Sequence, residues 1–500
     1  MHSCQLPIDG RYSLTHFCCD AHSQHNGTNR LRGLIVNRRK FFLFFYLLIL
    51  PSIVLAQSTL VRQLETLVEE LPVGSIYSIQ VRDPVSGKVL FEDGEQQNLV
   101  PASVLKVLTA TLAYEALGEE FRYVTRFEST RSVRQGIVKG PVVLKFSGDP
   151  SLTHDNIRGL IKELKERNVR TIDSNLWIDG GVFSGYDRAG GVSWDDLNIC
   201  FAAPAAAMVL DRNCFYAWLK PGRKEGQKTR IEYDNSDWGL TVENKVITTE
   251  KDCPLSVFPS AKHEYKLEGC VSPGSRSVRL AFSISNVERA VRKFILTELR
   301  KSHIQLKGRI LVGRPDQETP IVLAEHQSEL LPMLLKPVLE KSDNLYSDSI
   351  LKTVAYAHSG EPGNYAAGIQ SARELLGEGG VGFGSSRLVD GSGLSRYNFI
   401  SASTLVDVLM FGWSRWGEQS PWLLDRTKKE RWLKTGYMSG VSSMAGYVFQ
   451  EDEKPLVFAV ILNGLMPPLP ASREEMRAFR KSIRSFHQSF LKVLSTADKG

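Results

Sequence analysis

One stretch of the chain demands burial on every side. Residues 104–117 (VLKVLTATLAYEAL) are apolar nearly throughout, and Gly118 follows where a helix would end. A helix without a polar face has to be covered by other elements, which predicts the interior of a layered domain. The hexapeptide PASVLK begins this helix at residues 101–106. Ser103 is therefore either a nucleophile with Lys106 as its base or an ordinary helix start.

The chain is too long for one ordinary core, since 500 residues favour two or three domains. Helical spacing and strand-like alternation predict an α/β unit at residues 57–118 and 305–500, split by a β-rich insertion at residues 119–304. An inner subdomain of the insertion covers about 215–285. The predicted helices lie at 58–71, 104–117, 157–167, 287–301, 328–340, 345–357, 364–376, 401–413 and 472–496.

The N-terminus has the pattern of an export signal. Three basic residues at 38–40 precede an apolar run at 41–55, and a small-residue cleavage site ends at Ala56. A single-pass anchor is the alternative, but the run is short, contains a proline and lacks a stop-transfer flank. Residues 1–36 form an extension without periodicity, so we expect translation to begin near residues 34–36.

Cleavage would leave four of the seven cysteines, Cys200, Cys214, Cys253 and Cys270. An even number in an exported chain predicts two disulfides, and pairing of sequence neighbours is favoured among the three possible arrangements. Buried free thiols are the alternative. The spacings match no zinc site, and we expect neither a metal nor another cofactor.

Charge gives no support to a nucleic-acid partner. The net charge is +7, but six basic and two acidic residues lie in the first 56, which leaves about +3 for the exported part. A balance so near neutral does not predict a broad basic surface.

The location of Ser103 and Lys106 at the start of a buried helix favours the nucleophile–base interpretation. Residues three apart on a helix share a face, so a lysine could take the serine's proton once burial and a neighbouring cation lower its pKa. The helix N-terminus would add positive potential for a developing oxyanion. Ser-x-x-Lys also occurs at residues 349–352 and 489–492, but both lie inside predicted helices and are interpreted as surface or packing residues.

Two further motifs could complete such a site. Ser342-Asp343-Asn344 contains the only Ser-x-Asn of the chain, although these residue types also cap helices and a helix is predicted directly after them. Lys434-Thr435-Gly436 opens the first strand of a predicted hairpin formed by residues 443–450 and 455–463. A lysine and a threonine there could hold a carboxylate, and a loop turn is the alternative.

In this order the three motifs resemble those of the penicillin-recognising serine acyltransferases. The 239 residues from Ser103 to Ser342 exceed the compact block of small β-lactamases. They resemble instead the class C low-molecular-mass penicillin-binding proteins, which are D-alanyl-D-alanine carboxypeptidase/endopeptidases of the DacB type. The segments SGDPSL (147–152), LAFSISN (280–286) and DGSGLSRYN (390–398) agree. The resemblance implies an α/β (α+β) fold, a transpeptidase/β-lactamase-like domain split by a β-rich, two-part insertion.

The resemblance also implies catalytic roles. Ser103 would be the acylated nucleophile and Lys106 its general base. Ser342 would relay a proton to the leaving amine, and Asn344 would orient the substrate amide. Water would then hydrolyse the acyl-enzyme.

Substrate binding is implied for the third motif and the residues after it. Lys434 would keep the site electropositive and, with Thr435, receive the terminal carboxylate, while Gly436 would allow close approach of the backbone. The backbone N–H groups of Ser103 and Tyr437 would form the oxyanion hole, and Ser439 would lie farther along the same strand.

Three residues of the insertion and the adjoining loop match the family's diaminopimelate pocket. Asp196, Phe201 and Arg396 would contact the side-chain end of meso-diaminopimelate, with Asp196 at its amino group and Arg396 at its carboxylate. Taken alone, these residues would be interpreted as a loop aspartate, a surface arginine and a core phenylalanine.

The chain departs from the family at Tyr437, where serine or threonine is usual, and in residues 397–433, which are shorter than usual and lack a GxDGTL-like segment. Both differences put the rate and the substrate range in doubt more than the acylation chemistry.

The implied function is hydrolysis of D-Ala-D-Ala stem peptides and cross-links of peptidoglycan, inhibited by β-lactams, in the periplasm of a Gram-negative cell. A catalytically weak cell-wall-binding relative and a β-lactamase are the alternatives. At most peripheral membrane association is expected, no nucleic acid is expected as a partner, and the oligomeric state stays open.

Overall fold

The computed structural model describes residues 59–233, 238–250, 253–259, 264–420, 430–450, 455–467 and 472–496. The α-helices of this part are α1 (Thr59–Glu69), α2 (Lys106–Leu117), α3 (His154–Glu166), α4 (Val287–Lys301), α5 (Leu331–Leu339), α6 (Asn344–Ser359), α7 (Tyr365–Glu378), α8 (Ala402–Trp416) and α9 (Arg473–Thr496). All of them overlap the predicted helices. The predicted export signal and extension, residues 1–56, lie outside the described residues, as does the turn of the terminal hairpin at 451–454.

The strands fall into two groups along the chain. Those of the first half are β1 (Ile76–Arg82), β2 (Val89–Asp93), β3 (Val124–Ser129), β4 (Ile137–Val138), β5 (Val142–Lys145), β6 (Thr171–Ile172), β7 (Leu176–Asp179), β8 (Cys214–Lys220), β9 (Arg230–Tyr233) and β10 (Thr241–Asn244). Those of the second half are β11 (Ile247–Thr248), β12 (Ser256–Pro259), β13 (Glu264–Glu268), β14 (Cys270–Val271), β15 (Val278–Ser283), β16 (Gln305–Leu306), β17 (Ile310–Val312), β18 (Ile321–Gln327), β19 (Arg431–Met438), β20 (Gly440–Phe449) and β21 (Pro455–Leu465).

The largest antiparallel sheet joins the two ends of the chain, in the order β19-β20-β21-β1-β2. Successive residues of β21 face two different cores. Ala459 and Ile461 pack with α2 and α8, whereas Val460 and Leu462 pack with α1 and α9. The alternating sequence pattern of β20 and β21 predicts that every second residue is exposed. Both strands are instead buried almost throughout, because helices cover both faces of the sheet.

The third motif lies in a strand of its own, β19, which the sequence pattern does not distinguish from the following strand, β20. Lys434, Thr435 and Gly436 were expected to open the first strand of a hairpin. They lie instead in the middle of β19, which forms the edge of the sheet and pairs antiparallel with β20. A tight turn around Gly440, at φ +77°, joins the two strands, so the chain forms a three-stranded meander.

Helix α2 lies at the centre of a large hydrophobic core, as its apolar composition predicts. Residues 106–114 are all buried, and the helix shares one core with α5, α6, α7, α8 and one face of the large sheet. Immediately before it, Ala102–Leu105 forms a 3₁₀ turn. None of the described helices combines the length and the apolar character needed to cross a bilayer.

The second five-stranded sheet, β17-β7-β5-β3-β18, belongs to the polypeptide between α2 and α5 and packs with α3 and α4. The sequence predicts that the insertion ends at residue 304, but the strand pairing of this sheet continues to Gln327. Strand β18 pairs antiparallel with β3 and buries Leu323 and Ala324 in the core of the insertion. The smaller sheets of β8 to β15 occupy residues 214–283.

Both disulfides follow the favoured pairing of sequence neighbours. Cys200 pairs with Cys214, and Cys253 pairs with Cys270, with Cα–Cα separations of 5.5 and 5.6 Å. Each bridge therefore closes a short loop within the insertion, and the prediction of this pairing is confirmed.

Candidate active site

Ser103 lies in the 3₁₀ turn that leads into α2, where two neighbouring segments approach unusually closely. A Cβ atom at Gly436 of β19 would lie 2.7 Å from the backbone nitrogen of Ser103. A Cβ atom at Gly393 would lie 1.9 Å from the carbonyl oxygen of Ala102, which itself has a φ of +51°. Glycine is required at both positions because any side chain would push the strand or the loop away from the turn that contains Ser103.

Lys106 is fully buried and has three oxygen atoms within hydrogen-bond distance of its amine. Its Nζ lies 3.0 Å from Ser103 Oγ, 2.6 Å from Asn344 Oδ1 and 2.5 Å from the carbonyl oxygen of Ser392. An amide oxygen and a carbonyl oxygen can only accept, so they take the two N–H groups of a neutral amine. The lone pair of that amine then faces the hydroxyl of Ser103, as a general base requires.

The charge state of Lys106 suits this role. Burial, and then the positive charge of Lys434, lowers the pKa of Lys106 to about 7, while the carboxylates of Asp348, Asp390 and Asp343 oppose that shift. A substantial fraction of the amine is therefore neutral near pH 7, which its ordinary pKa would not allow.

Ser342 and Lys434 form a second pair on the other side of the cluster. Lys434 Nζ donates to Ser342 Oγ at 3.1 Å and to the carbonyl oxygen of Thr435 at 2.8 Å. Burial lowers the pKa of Lys434 to about 8. Ser342 has a φ of +57°, a left-handed conformation that is unfavourable for a serine and is common at functional sites.

Asn344 connects the cluster to the insertion. Its Oδ1 accepts from Lys106, and its Nδ2 donates to the carbonyl oxygen of Phe201 at 2.8 Å. The residue before it, Asp343, is the N-cap of α6 and accepts from the N–H of Tyr346 at 3.2 Å. The capping alternative is therefore correct for Asp343, whereas Ser342 and Asn344 face the two lysines.

The predicted pocket residues line the rim of the site. Partial burial, and then the charge of Asp195, raises the pKa of Asp196, while the nearby positive charge of Arg396 opposes the shift. Arg396 donates to the carbonyl oxygen of Ser439 at 3.3 Å. The ring of Phe201 is 45% exposed, so it is available for contact and is not a core side chain.

The exposed side of β19 is the other part of the rim. Tyr437 directly follows Gly436, the glycine that lies against the 3₁₀ turn of Ser103, and it is 60% exposed. The predicted set is thus brought together in two groups. One is a buried cluster of Ser103, Lys106, Ser342, Asn344 and Lys434, and the other is an open rim of Asp196, Phe201, Arg396, Tyr437 and Ser439.

Sequence reasoning missed the loop at residues 390–398 as part of the cluster. The carboxylate of Asp390 accepts from the N–H groups of Gly393 and Ser395, each at 2.7 Å, and from Asn398 Nδ2 at 2.8 Å. The loop is folded around this buried charge, and that fold directs the carbonyl of Ser392 at Lys106. The segment DGSGLSRYN did signal the loop, but only Arg396 in it received a role.

Asp348 of α6 was also missed, because nothing in a mid-helix aspartate signals a function. It is buried and accepts from the N–H of Gly391 at 3.0 Å and from Ser392 Oγ at 3.3 Å. Burial, and then the charge of Asp390, raises the pKa of Asp348 to about 7. Among the described residues, no group of three or more His, Cys, Asp or Glu side chains is arranged to hold a metal ion.

Comparison with known proteins agrees with this geometry. The D-alanyl-D-alanine carboxypeptidase DacB of Haemophilus influenzae is 30% identical over 424 residues, which is 80% of this chain and 87% of that protein. A D-alanyl-D-alanine carboxypeptidase of an Actinomadura species is 26% identical over 450 residues, with 83% of each chain covered.

The solved structures lead to the same family. The crystal structure of penicillin-binding protein 4 (dacB) from Haemophilus influenzae matches with a TM-score of 0.76 and 28% identity, over 85% of this chain and 99% of that chain. The same protein in complex with a β-lactam matches with a TM-score of 0.72 at 26% identity. The predicted fold class is confirmed. The sequence model of the D-Ala-D-Ala carboxypeptidase 3 (S13) family matches residues 60–428, and the chain belongs to this family.

Proposed function

We propose that the chain is a serine-type D-Ala-D-Ala carboxypeptidase and DD-endopeptidase that cleaves stem peptides and cross-links of peptidoglycan through an acyl-enzyme at Ser103. One observation carries this proposal. The Nζ atom of Lys106 lies 3.0 Å from Ser103 Oγ while two pure acceptors occupy its remaining donors. That arrangement leaves the base no other proton to take than the one on the nucleophile.

Acylation would proceed in two proton movements. Neutral Lys106 accepts the hydroxyl proton as Ser103 Oγ attacks the carbonyl carbon of the penultimate D-alanine, and the N–H groups of Ser103 and Tyr437 stabilise the resulting oxyanion. When the peptide bond breaks, Ser342 delivers its own proton to the leaving amine and takes up the proton that Lys106 removed from Ser103, so Lys106 is neutral again for deacylation. The hydrogen bond from Lys434 to Ser342 supports this relay.

Lys434 also supplies charge for binding. Together with Thr435 it receives the terminal carboxylate of the substrate, so it must stay protonated while Lys106 is neutral. The pKa values of about 7 for Lys106 and about 8 for Lys434 favour this combination at neutral pH. Hydrolysis of the ester by water, activated in the same way, returns the free enzyme.

The rim residues are assigned to the diaminopimelate side chain of the stem. Asp196 and Arg396 lie near enough to influence each other electrostatically, and the exposed ring of Phe201 adds an apolar surface. An amino group beside a carboxylate, at the end of an aliphatic chain, fits this set. Ser439 contributes its carbonyl as the acceptor that orients Arg396. A peptidoglycan substrate, together with the predicted export signal, supports a location in the periplasm of a Gram-negative cell.

Purified muropeptides, pentapeptide monomers and cross-linked dimers, test the proposal directly. Mass analysis should show loss of D-alanine from monomers, conversion of dimers to monomers, and no product with Ser103→Ala. A fluorescent penicillin should label the wild-type protein and fail to label that variant. Labelling without any muropeptide cleavage would favour the catalytically weak relative, and rapid turnover of penicillin would favour a β-lactamase.

A further inference from the structure

The insertion contains a short left-handed turn that has no glycine. Asp211, Arg212 and Asn213 have φ values of +43°, +58° and +50°. Residues with a side chain adopt left-handed conformations singly and at a cost in free energy, so three in succession are strongly unfavourable. Backbone strain of this kind persists only where its surroundings enforce it.

Buried polar contacts hold this turn from both ends. Asn213 is fully buried, and its Nδ2 donates to the carbonyl oxygens of Pro204 at 3.0 Å and Met208 at 3.2 Å. The backbone N–H of Asp211 donates to Leu152 O at 2.9 Å, and its carboxylate contacts Nδ1 of the buried His154. The conformation of the residue between them is therefore determined by the insertion itself.

The residue that this turn presents to the catalytic unit is Arg212. Its Nε lies 3.3 Å from Asp343 Oδ2, and one terminal nitrogen donates to Tyr216 Oη at 2.9 Å. The side chain of Asp343 is only 10% exposed, and its other oxygen caps α6. The arginine thus holds the central residue of the segment whose two neighbours, Ser342 and Asn344, face the catalytic lysines.

We propose that Arg212 is a positioning residue of the active site, which acts through Asp343 to hold Ser342 and Asn344 in register with Lys434 and Lys106. The proposal rests on the proposed function, since it concerns the same acylation reaction. It assigns the insertion a catalytic purpose besides substrate binding, because a strained turn of the insertion fixes the geometry of the Ser-x-Asn motif.

The pair has an electrostatic consequence as well. The charge of Asp343 raises the pKa of Lys106, as do those of Asp348 in α6 and Asp390 in the 390–398 loop, whereas burial and Lys434 in β19 lower it. Arg212 offsets part of the charge of Asp343. Removal of the arginine should therefore raise the pKa of Lys106, and removal of the charge on Asp343 should lower it.

The test is a double-mutant cycle with Arg212→Met, Asp343→Asn and the double variant, together with Arg212→Lys. Asparagine can still cap α6, so Asp343→Asn isolates the charge and its pairing. Arg415→Met serves as the matched control, since Arg415 also forms an ion pair between two elements, at 2.7 Å from Glu115, far along α2 from Ser103. The measurement is acylation by a fluorescent penicillin, separated into a dissociation constant and a limiting rate constant, across pH 5.5–9.

Arg212→Met should reduce the limiting acylation rate constant by about tenfold to 100-fold, with little change in the dissociation constant, as expected for misplaced catalytic groups. Arg212→Lys should recover part of the loss, and Arg415→Met should react as the wild type does. The double variant should be no slower than the slower single variant. The acid limb of the pH profile should move to higher pH in Arg212→Met and to lower pH in Asp343→Asn.

Two results would overturn the proposal. One is an unchanged acylation rate in Arg212→Met below its unfolding temperature, and the other is strictly additive losses in the cycle. If Arg212→Met does not fold, Arg212→Gln, which also removes the charge, has the same consequence when its rate and pH profile are unchanged. The proposed function fails separately, when the wild-type protein itself is not acylated or when Ser103→Ala still is.

Discussion

Two Ser-x-x-Lys sequences of this chain have buried lysines, yet only one of them forms a serine–lysine pair. Lys106 lies 3.0 Å from Ser103, and the burial of Lys106 lowers its pKa to about 7. Lys352 is equally buried, with its pKa lowered to about 8, but it does not contact Ser349. Burial and a lowered pKa are therefore insufficient to identify a catalytic lysine.

The partners of the two lysines explain the difference. Lys352 Nζ donates to the carbonyl oxygens of Tyr186 and Ala205, both at 2.8 Å, and lies 4.4 Å from the centre of the Tyr365 ring. These contacts draw it towards the loops of the insertion and away from its own helix. Ser349, in the interior of α6, has no hydrogen-bond partner for its hydroxyl among the described residues.

The backbone around each serine supplies the second half of the explanation. Ser103 precedes α2 in a 3₁₀ turn, where its hydroxyl lies next to Lys106 and the residue is only partly buried. Ser349 lies mid-helix and is fully buried, so no substrate can reach it. The second pair was interpreted as surface or packing residues, and its burial supports packing.

Serine to alanine substitution should separate the two sequences most strongly. Ser103→Ala should lower acylation by fluorescent penicillin by about 10⁴-fold or more, because no nucleophile remains. Ser349→Ala should leave the rate unchanged. Labelled protein is measured over time on a gel, and substantial labelling of Ser103→Ala would show that the nucleophile lies elsewhere.

Replacement of the lysines by methionine should have the next largest effect. Lys106→Met should slow acylation by about 10²–10⁴-fold, the usual contribution of a general base. Lys352→Met should keep the acylation rate and lower the free energy of unfolding, since two buried carbonyl groups lose their donor at about 1–3 kcal/mol each. Denaturant unfolding and acylation kinetics are measured on the same samples. Loss of acylation in a stable Lys352→Met protein would show that Lys352 also takes part in acylation.

The pH dependence of acylation should reflect the ionisation of Lys106 and of its neighbour Lys434, but not that of Lys352. The rate constant should rise as pH passes about 7, because Lys106 must be neutral, and fall above about 8 as Lys434 loses the charge that binds the substrate carboxylate. Lys352→Met should give the same bell-shaped curve as the wild type. A flat profile between pH 6 and 9 would exclude Lys106 as the titrating base.

The ionisation of Lys352 should change the free energy of unfolding and leave the acylation rate unchanged. Its pKa falls from 10.5 in the unfolded chain to about 8 in the folded protein, so the unfolded state binds more protons between these values. The free energy of unfolding should therefore gain from Lys352 as pH rises from about 8 towards 10.5, and lose that gain as pH falls. Denaturant titrations at several pH values should show a smaller rise in Lys352→Met than in the wild type.

The smallest effect is expected at the serine without a partner. Ser349→Ala removes a buried hydroxyl that makes no hydrogen bond, so we expect the free energy of unfolding to increase by about 1 kcal/mol. Thermal and denaturant unfolding measure the change. A decrease of similar size would mean that the hydroxyl makes a bond in solution.

Much of this site was predictable because short patterns carry their own physical meaning. The apolar composition of residues 104–117 required burial, and the helix start placed Ser103 at its exposed end. The uniqueness of Ser342-Asp343-Asn344 and Lys434-Thr435-Gly436 then selected one of three Ser-x-x-Lys sequences. The cysteine pairing followed from sequence proximity.

Other parts could not be predicted because they depend on contacts between distant segments. A mid-helix aspartate such as Asp348 joins the buried cluster only when the 390–398 loop folds onto it. The double burial of β20 and β21 depends on which helices cover the sheet. Arg212 resembles any surface arginine until its strained turn directs it to Asp343.

The sequence by itself determined the chemistry of this protein, namely a serine, two lysines and their partners, at spacings that identify the family. Only the tertiary structure decided the protonation state and the orientation of those groups. It buried Lys106 next to a second lysine and two pure acceptors, which makes its neutral form available at physiological pH. A pKa and a proton path depend on what surrounds a group in space, and residues 238 positions apart, such as Lys106 and Asn344, meet only after folding.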